Sequence, residues 1–196
     1  MKNTLLLLSL IMFFSCSHPE NSSLPVLSRA DSLLQIGYAD SALILLDSFP
    51  VDDLTTVSLQ ARYALLLTQA MDKNYITLTG DSLIRIAVKY YDSTNDLSSR
   101  AKAHYYWGRV HQDMGDVEGT VREFLTAMPL AKKAKEHTLM CLLQGNLGYL
   151  CWEHGLLDEA DSLYKEEIQL TELHRDSLHW AMALAMRGDI CMERGE

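Results

Sequence analysis

Residues 96–135 read DLSSRAKAHYYWGRVHQDMGDVEGTVREFLTAMPLAKKAK, and residues 136–175 read EHTLMCLLQGNLGYLCWEHGLLDEADSLYKEEIQLTELHR. When the second stretch is placed under the first, two pairs of glycines coincide. The same shift of 40 residues continues into the end of the chain, and six of the ten glycines fall into two series: Gly108, Gly148 and Gly188, then Gly115, Gly155 and Gly195. The chain is therefore predicted to consist of repeated units.

Within a unit the apolar residues recur at steps of three and four, which is typical of amphipathic helices. Residues 136–175 show this in two runs: Leu142, Leu143, Leu147, Leu150 and Cys151, then Leu156, Leu157, Ala160, Leu163, Tyr164 and Ile168. A glycine between the runs can adopt the left-handed conformation that ends a helix. Each unit is predicted to be a helix, a tight turn and an antiparallel helix.

The spacing of small and aromatic residues resembles the tetratricopeptide repeat. The residues that match in the unit 96–135 are Gly108, Gly115, Thr120, Phe124 and Ala127, whereas the next unit carries Glu167 where a small residue is expected. The period exceeds the usual length of about 34 residues, so the chain is similar to the longer-repeat subgroup found in bacterial signalling proteins. This resemblance implies an all-α fold of helix pairs stacked as a right-handed α-solenoid, and it leaves the function open.

The predicted domain organisation follows from this register. Residues 1–15 are expected to form a signal peptide, residues 16–23 a linker, and residues 24–196 the repeat domain. A turn at Gly37 would divide an N-terminal cap into two helices. The predicted units are 24–55, 56–95, 96–135, 136–175 and an incomplete unit, 176–196.

The N-terminal segment carries Lys2 and an apolar run from Leu5 to Phe14, followed by Ser15 and Cys16. This run is shorter than the roughly 20 residues of a membrane span and suits a secretory signal. A small residue directly before a cysteine resembles the bacterial lipobox, which implies lipidation of Cys16 and a lipid-anchored protein of the cell envelope, on the periplasmic face or at the outer membrane. Plain secretion and an uncleaved anchor are the alternatives.

The net charge of −9 argues against a nucleic-acid partner, because such proteins rely on attraction to phosphate groups. The sequence contains no recognisable catalytic motif, so we expect no enzymatic activity, no cofactor and no metal. Three cysteines, Cys141, Cys151 and Cys191, are expected to be small core residues. Four Asp-Ser-Leu triplets are predicted to start helices; they begin at Asp31, Asp81, Asp161 and Asp176.

The family resemblance implies a concave groove lined by the first helix of each unit, which suits an extended or helical peptide. The groove positions that it implies are Lys102, Tyr105, Arg109 and Gln112 in one unit, Tyr149, Trp152 and Glu153 in the next, and Asp189 and Glu193 in the last. The alternative for Tyr105 and Trp152 is that they only pack between repeats.

The last predicted helix, from Ser177 to Arg194, carries several large apolar residues whose partner helix would be missing, as expected for a truncated reading frame or for a surface covered by a partner. Self-association through this helix is one possibility. The leading interpretation is a protein- or peptide-binding scaffold. The alternatives are the sensory portion of a longer signalling or transcription-regulating protein and a glycan-binding outer-membrane lipoprotein.

Overall fold

The structure, a computed structural model, describes the backbone of residues 20–196 and the side chains of residues 24–196. This part of the chain is all-α, as predicted, and no strand occurs within it. The helices are α1 (Glu20–Gln35), α2 (Ala39–Asp47), α3 (Val57–Lys73), α4 (Ser82–Tyr91), α5 (Leu97–Asp113), α6 (Val117–Ala134), α7 (His137–Glu153), α8 (Leu157–His174) and α9 (Ser177–Arg194), with a short 3₁₀ turn over Val51–Asp53.

Consecutive helices pack against each other as pairs, most extensively α5 with α6 and α7 with α8. The first helices of successive pairs also lie side by side, since α1 contacts α3, α3 contacts α5, and α7 contacts α9. Both layers are needed to bury the apolar stripe that each helix carries. The result is an α-solenoid of stacked helix pairs.

Two repeating glycine positions have different structural roles. Gly115, Gly155 and Gly195 end first helices with φ values of 72° to 74°, a left-handed conformation that costs glycine least. Gly108 instead allows close packing, because a Cβ there would lie 2.5 Å from Cδ1 of Phe124. The tyrosine one repeat later packs on Gly148 in the same way, at 2.9 Å from Cζ of Tyr164.

The connections between units end their helices without glycine. Lys135 and Arg175 occupy equivalent positions 40 residues apart and have φ values of 59° and 57°. Each precedes an acidic residue that begins the next helix, Glu136 before α7 and Asp176 before α9. The repeat therefore extends to backbone conformation.

Aspartates cap several helices. The carboxylates of Asp96, Asp116 and Asp176 accept hydrogen bonds from backbone amides in the first turns of α5, α6 and α9, which satisfies donors that have no partner within the helix. Of the four Asp-Ser-Leu triplets, Asp176 confirms the predicted role. Asp81 occupies the N-cap position of α4 without a side-chain hydrogen bond.

The prediction was wrong for Asp31 and Asp161, which lie inside α1 and α8. The side chain of Asp161 is nearly buried and accepts hydrogen bonds from Lys165 Nζ at 2.5 Å and from Arg187 Nε at 2.7 Å. A buried carboxylate is tolerated where positive charges and donors surround it. Asp161 thus links α8 to α9.

The described cysteines, Cys141, Cys151 and Cys191, are all free thiols. Cys141 is buried within α7, and the other two are partly exposed. No helix of residues 20–196 combines the length and the apolar character that crossing a bilayer requires. The predicted signal peptide and Cys16 lie outside the described residues, and α1 begins at Glu20, within the predicted linker.

Candidate binding groove

A cavity of about 430 Å³ opens where the first helices lie side by side. It extends from the turn between α1 and α2 to the middle of α9. Its walls are formed by Gly37, Ala39, Asp72, Lys73, Tyr75, Tyr105, Tyr106, Arg109, Leu142, Asn146 and Met182.

A second cavity of about 350 Å³ adjoins the first and shares Lys73, Tyr106 and Leu142 with it. Its remaining lining residues are Leu34, Gln35, Gln69, Lys102, Glu136, Thr138 and Leu139. We refer to the two cavities together as the groove. Because residues of α1, α3, α5, α7 and α9 line it, the groove crosses the units rather than following one helix, as a site for an extended segment requires.

Arg109 lies at the centre of the groove and connects three first helices. Its Nε donates to Oδ1 of Asp72 on α3 at 2.8 Å. Its Nη1 donates to Oε1 of Gln112 at 2.6 Å and to Oδ1 of Asn146 on α7 at 3.0 Å. The Asn146 amide in turn donates to the Tyr105 hydroxyl at 3.3 Å and to the carbonyl oxygen of Leu142 at 2.7 Å. A partly buried guanidinium held this firmly loses little conformational entropy when a ligand binds.

The structure brings four of the predicted groove residues together on α5. Lys102 lies 3.7 Å from Oε1 of Glu136 and lines the second cavity. Arg109 and Tyr105 line the first, and Gln112 orients Arg109. Tyr105 is only 3% exposed and stacks on Phe124 with ring centroids 5.6 Å apart. Its ring therefore belongs mainly to the core, as the packing alternative expects, and only its edge reaches the groove.

The predicted residues of α7 and α9 lie apart from these four. Tyr149 is 38% exposed, and its ring centroid lies 5.6 Å from that of Trp152. A hydrogen bond with Glu153, more than burial, raises the pKa of Tyr149 above its ordinary value. Trp152 packs against the small core cluster around Tyr164. Asp189 and Glu193 line neither cavity of the groove.

Sequence analysis missed several groove residues, notably Asp72, Asn146 and Met182. One available signal was the repeat itself, because Lys102 shifted by 40 residues gives Leu142, which lines both cavities. Asp72 had no comparable signal. It lies at the end of α3, and its contact with Arg109 spans 37 residues.

A second polar cluster lies away from the groove, between α5 and α6. The imidazole of His104 has Nδ1 2.7 Å from Glu123 Oε2 and Nε2 3.1 Å from Asp92 Oδ1. Burial opposes the charged form of His104, but the hydrogen bonds to Glu123 and Asp92 raise its pKa above the ordinary value. Burial opposes ionisation of Glu123 as well, and the bonds from His104 and Arg122 lower the pKa of Glu123. The pair therefore acts as a buried ion pair.

The side chains of residues 24–196 form no group of three or more His, Cys, Asp or Glu that is placed to hold a metal ion.

Comparisons with known proteins agree on the fold alone. No protein-family model matches the chain, and no curated protein matches it. Among solved structures, the chain is similar to a crystal structure of a protein assigned as a kinesin light chain from Podosopora anserina, with nearly identical TPR-like repeats. The TM-score is 0.63 at 17% sequence identity, over 91% of this chain and 89% of the other. This likeness confirms an all-α solenoid of tetratricopeptide-like repeats.

Proposed function

We propose that the protein is a non-catalytic scaffold that binds a protein or peptide segment in the groove. The observation that carries this proposal is the Arg109 network, which holds polar groups from three helices in place at the centre of an elongated cavity. Ordered donors and acceptors between apolar walls are the usual features of a site for a peptide. Solenoids with this kind of repeat also present a continuous surface across several units.

The test begins with peptides selected from a random library on the full chain, purified in mild detergent. Their affinities are then measured by fluorescence anisotropy for the wild type and for two groove variants, Lys73→Glu and Arg109→Met. Lys73 lines both cavities and is exposed, so its replacement changes the groove without disturbing the core. The matched control is Lys89→Glu, because Lys89 is an exposed lysine of α4 that lies outside the groove.

We expect the groove variants to bind selected peptides at least about tenfold more weakly, which corresponds to roughly 1.4 kcal/mol. The control should bind as the wild type does. Equal affinities for the wild type and both groove variants would place the binding surface elsewhere and reject the proposal.

We further propose that a lipid on Cys16 anchors the protein in the cell envelope. The support is the sequence of residues 1–16, in which a basic residue, an apolar run and Ser15-Cys16 follow in the order of a lipoprotein signal. More than one acyl chain on a single cysteine gives stable anchoring. Mass spectrometry of the mature protein should find the lipid on Cys16, and Cys16→Ala should move the protein out of the membrane fraction. Retention of the variant in that fraction would contradict the proposal.

A glycan is the second candidate ligand, because an aromatic platform lies at the edge of the groove. Tyr75 is 95% exposed and lines the first cavity. Exposed aromatic rings offer an apolar face on which a sugar ring can stack. A panel of soluble polysaccharides distinguishes this candidate: Tyr75→Ala should abolish any retention, while peptide binding through Arg109 should persist.

A further inference from the structure

A third cavity, of about 220 Å³, lies between α7, α8 and α9. Most of its wall is apolar. It is lined by Cys141, Leu142, Gly145, Asn146, Tyr149, Tyr164, Glu167, His179, Met182, Ala183 and Met186. We refer to it as the side pocket. It shares Leu142, Asn146 and Met182 with the groove, so the side pocket opens from the groove.

The side pocket exists because two equivalent positions differ between neighbouring units. In α5 and α6 the Tyr105 ring stacks on Phe124, and Ala127 is fully buried. A shift of 40 residues places Gly145 where Tyr105 stood and Glu167 where Ala127 stood. The aromatic ring is thus absent from the second unit, and a carboxyl group is present instead.

Glu167 is buried and lacks a complete set of partners. Its side chain is 2% exposed, and Oε2 has no hydrogen-bond partner within the described part of the chain. The carboxyl lies against the backbone of Gly145, since a Cβ on this glycine would be 3.3 Å from Oε2. A buried polar atom without a partner is costly. Burial raises the pKa of Glu167 to about 7, and the charge of Asp176 adds to the effect.

The surroundings offer this carboxylate no positive partner. Among the described residues that line the side pocket, none is Lys or Arg. The nearest basic group in the lining, His179, already has its Nδ1 2.7 Å from Asp176 Oδ2. Arg187 and Lys165 are bound to Asp161. A ligand that fits must therefore supply a positive charge and a donor, together with an apolar body for the remaining wall.

We propose that the side pocket binds an alkylammonium group, with its charge on Glu167 and its alkyl chain among the apolar side chains. One unpaired oxygen suits a compact ammonium, whereas the planar guanidinium of arginine needs two acceptors in one plane. Tyr149 and Tyr164 add aromatic faces that attract cations. The volume suits a short chain, because a cavity of about 150 Å³ already holds benzene.

Such a group has two sources, a free small amine and a lysine side chain. The lysine version rests on the proposed function, because it makes the side pocket the anchor site for a segment bound in the groove. It predicts that groove-binding peptides carry one lysine that cannot be replaced by norleucine. Both versions require the same contact with Glu167.

Binding should weaken as the pH falls below about 7, because a protonated Glu167 attracts a cation far less. The titratable groups that face this carboxyl are Cys141 on α7, Tyr164 on α8, and Asp176 and His179 at the start of α9. Charging of His179 at low pH acts in the same direction. Glu167→Gln separates the two effects, since only the His179 contribution survives in that variant.

The first experiment is a titration of the full chain, in mild detergent, with n-butylammonium chloride and with 1-butanol as the uncharged probe. We expect butylammonium to bind at pH 7.5 and butanol to bind at least about tenfold more weakly. Glu167→Gln should weaken butylammonium by a similar factor. The matched control is Glu166→Gln, which alters the exposed neighbouring carboxyl that accepts a hydrogen bond from Gln144.

A second measurement keeps the test independent of the variants. Carbon-13 NMR of labelled glutamate follows the Glu167 carboxyl, whose pKa should fall by at least one unit when butylammonium is added. No binding at 10 mM butylammonium, equal binding by Glu167→Gln, or an unchanged Glu167 titration would overturn the proposal.

The peptide experiment distinguishes the two sources. If lysine-to-norleucine replacement weakens selected peptides in the wild type but not in Glu167→Gln, the ligand is a lysine side chain. If butylammonium binds while the peptides tolerate norleucine, the ligand is a free amine. If peptides bind in the groove but neither probe recognises Glu167, the scaffold function stands and the side pocket inference fails.

Discussion

The ring of Phe124 lies directly on the backbone of Gly108, and any side chain at that glycine would meet the ring at 2.5 Å. Gly188 occupies the same position two units later, yet no atom lies within 4 Å of the point where its Cβ would be. Two glycines that the repeat makes equivalent are thus in opposite environments.

The first prediction compares Gly108→Ala with Gly188→Ala. Alanine at position 108 must displace Phe124 and should destabilise the protein by about 1–3 kcal/mol, as overpacked cores do. Alanine at position 188 has open space and should stabilise α9 by about 0.5–1 kcal/mol, because glycine disfavours helix interiors. Urea unfolding followed by circular dichroism measures both. Equal effects of the two substitutions would show that the environments do not differ.

The second prediction concerns Lys135, which ends α6 with φ 59°. Lys135→Gly removes the cost of a left-handed conformation and should raise the free energy of unfolding by about 0.5–1 kcal/mol. The control is Lys133→Gly, two residues earlier inside the same helix, which should lower it by a similar amount. Thermal and urea unfolding check the pair, and a loss of stability in both variants would refute the interpretation.

The third prediction concerns the pH dependence of stability. The pKa of His104 is raised, so its contribution is complete below the unfolded value of 6.5 and is lost as the pH rises through the folded value. The pKa of Glu123 is lowered, so its contribution is complete above 4.5 and is lost as the pH falls through its folded value. The ion pair should therefore stabilise most between these limits.

The measurement for this prediction is the urea midpoint as a function of pH. Glu123→Gln should reduce the loss of stability above about pH 7, where Glu167 has finished titrating. The control is Glu118→Gln, an exposed carboxyl in the first turn of the same helix. Identical pH profiles for the wild type and Glu123→Gln would contradict the assignment.

The fourth prediction is self-association through α9. Five of its large apolar side chains are at least 38% exposed: Leu178, Trp180, Met182, Leu184 and Met192. Burying each one recovers on the order of 1.5–3 kcal/mol at most, so a second copy of the helix is a favourable cover. Sedimentation velocity should show a concentration-dependent dimer. The double variant Leu178→Glu with Met192→Glu should be monomeric, whereas Met114→Glu, at an exposed methionine after α5, should still dimerise.

The sequence predicts the fold well because the determining contacts repeat. Gly108 and Phe124 recur as Gly148 and Tyr164, so one alignment of the chain with itself identifies the close packing between helices. Asp161 shows where this approach fails. Its triplet has the same letters as the one at Asp176, and only the contact with Arg187, 26 residues away, reveals that it lies inside a helix.

The side pocket could be predicted only in part. Glu167 is visible in the sequence as a departure from a small residue, but its significance depends on Gly145. The two residues face each other because α7 and α8 pack in the same way as α5 and α6, and only then does the missing tyrosine ring become an empty space.

Arg109 also has a mechanical consequence, because its hydrogen bonds join Asp72, Gln112 and Asn146 across three successive first helices. Tension applied to the two ends of a solenoid spreads its units apart like the coils of a spring. Here the central coils are tied together by charged and polar bonds, so we expect elasticity to be uneven along the chain. Stretching should open the ends first and leave the middle of the protein as its stiffest part.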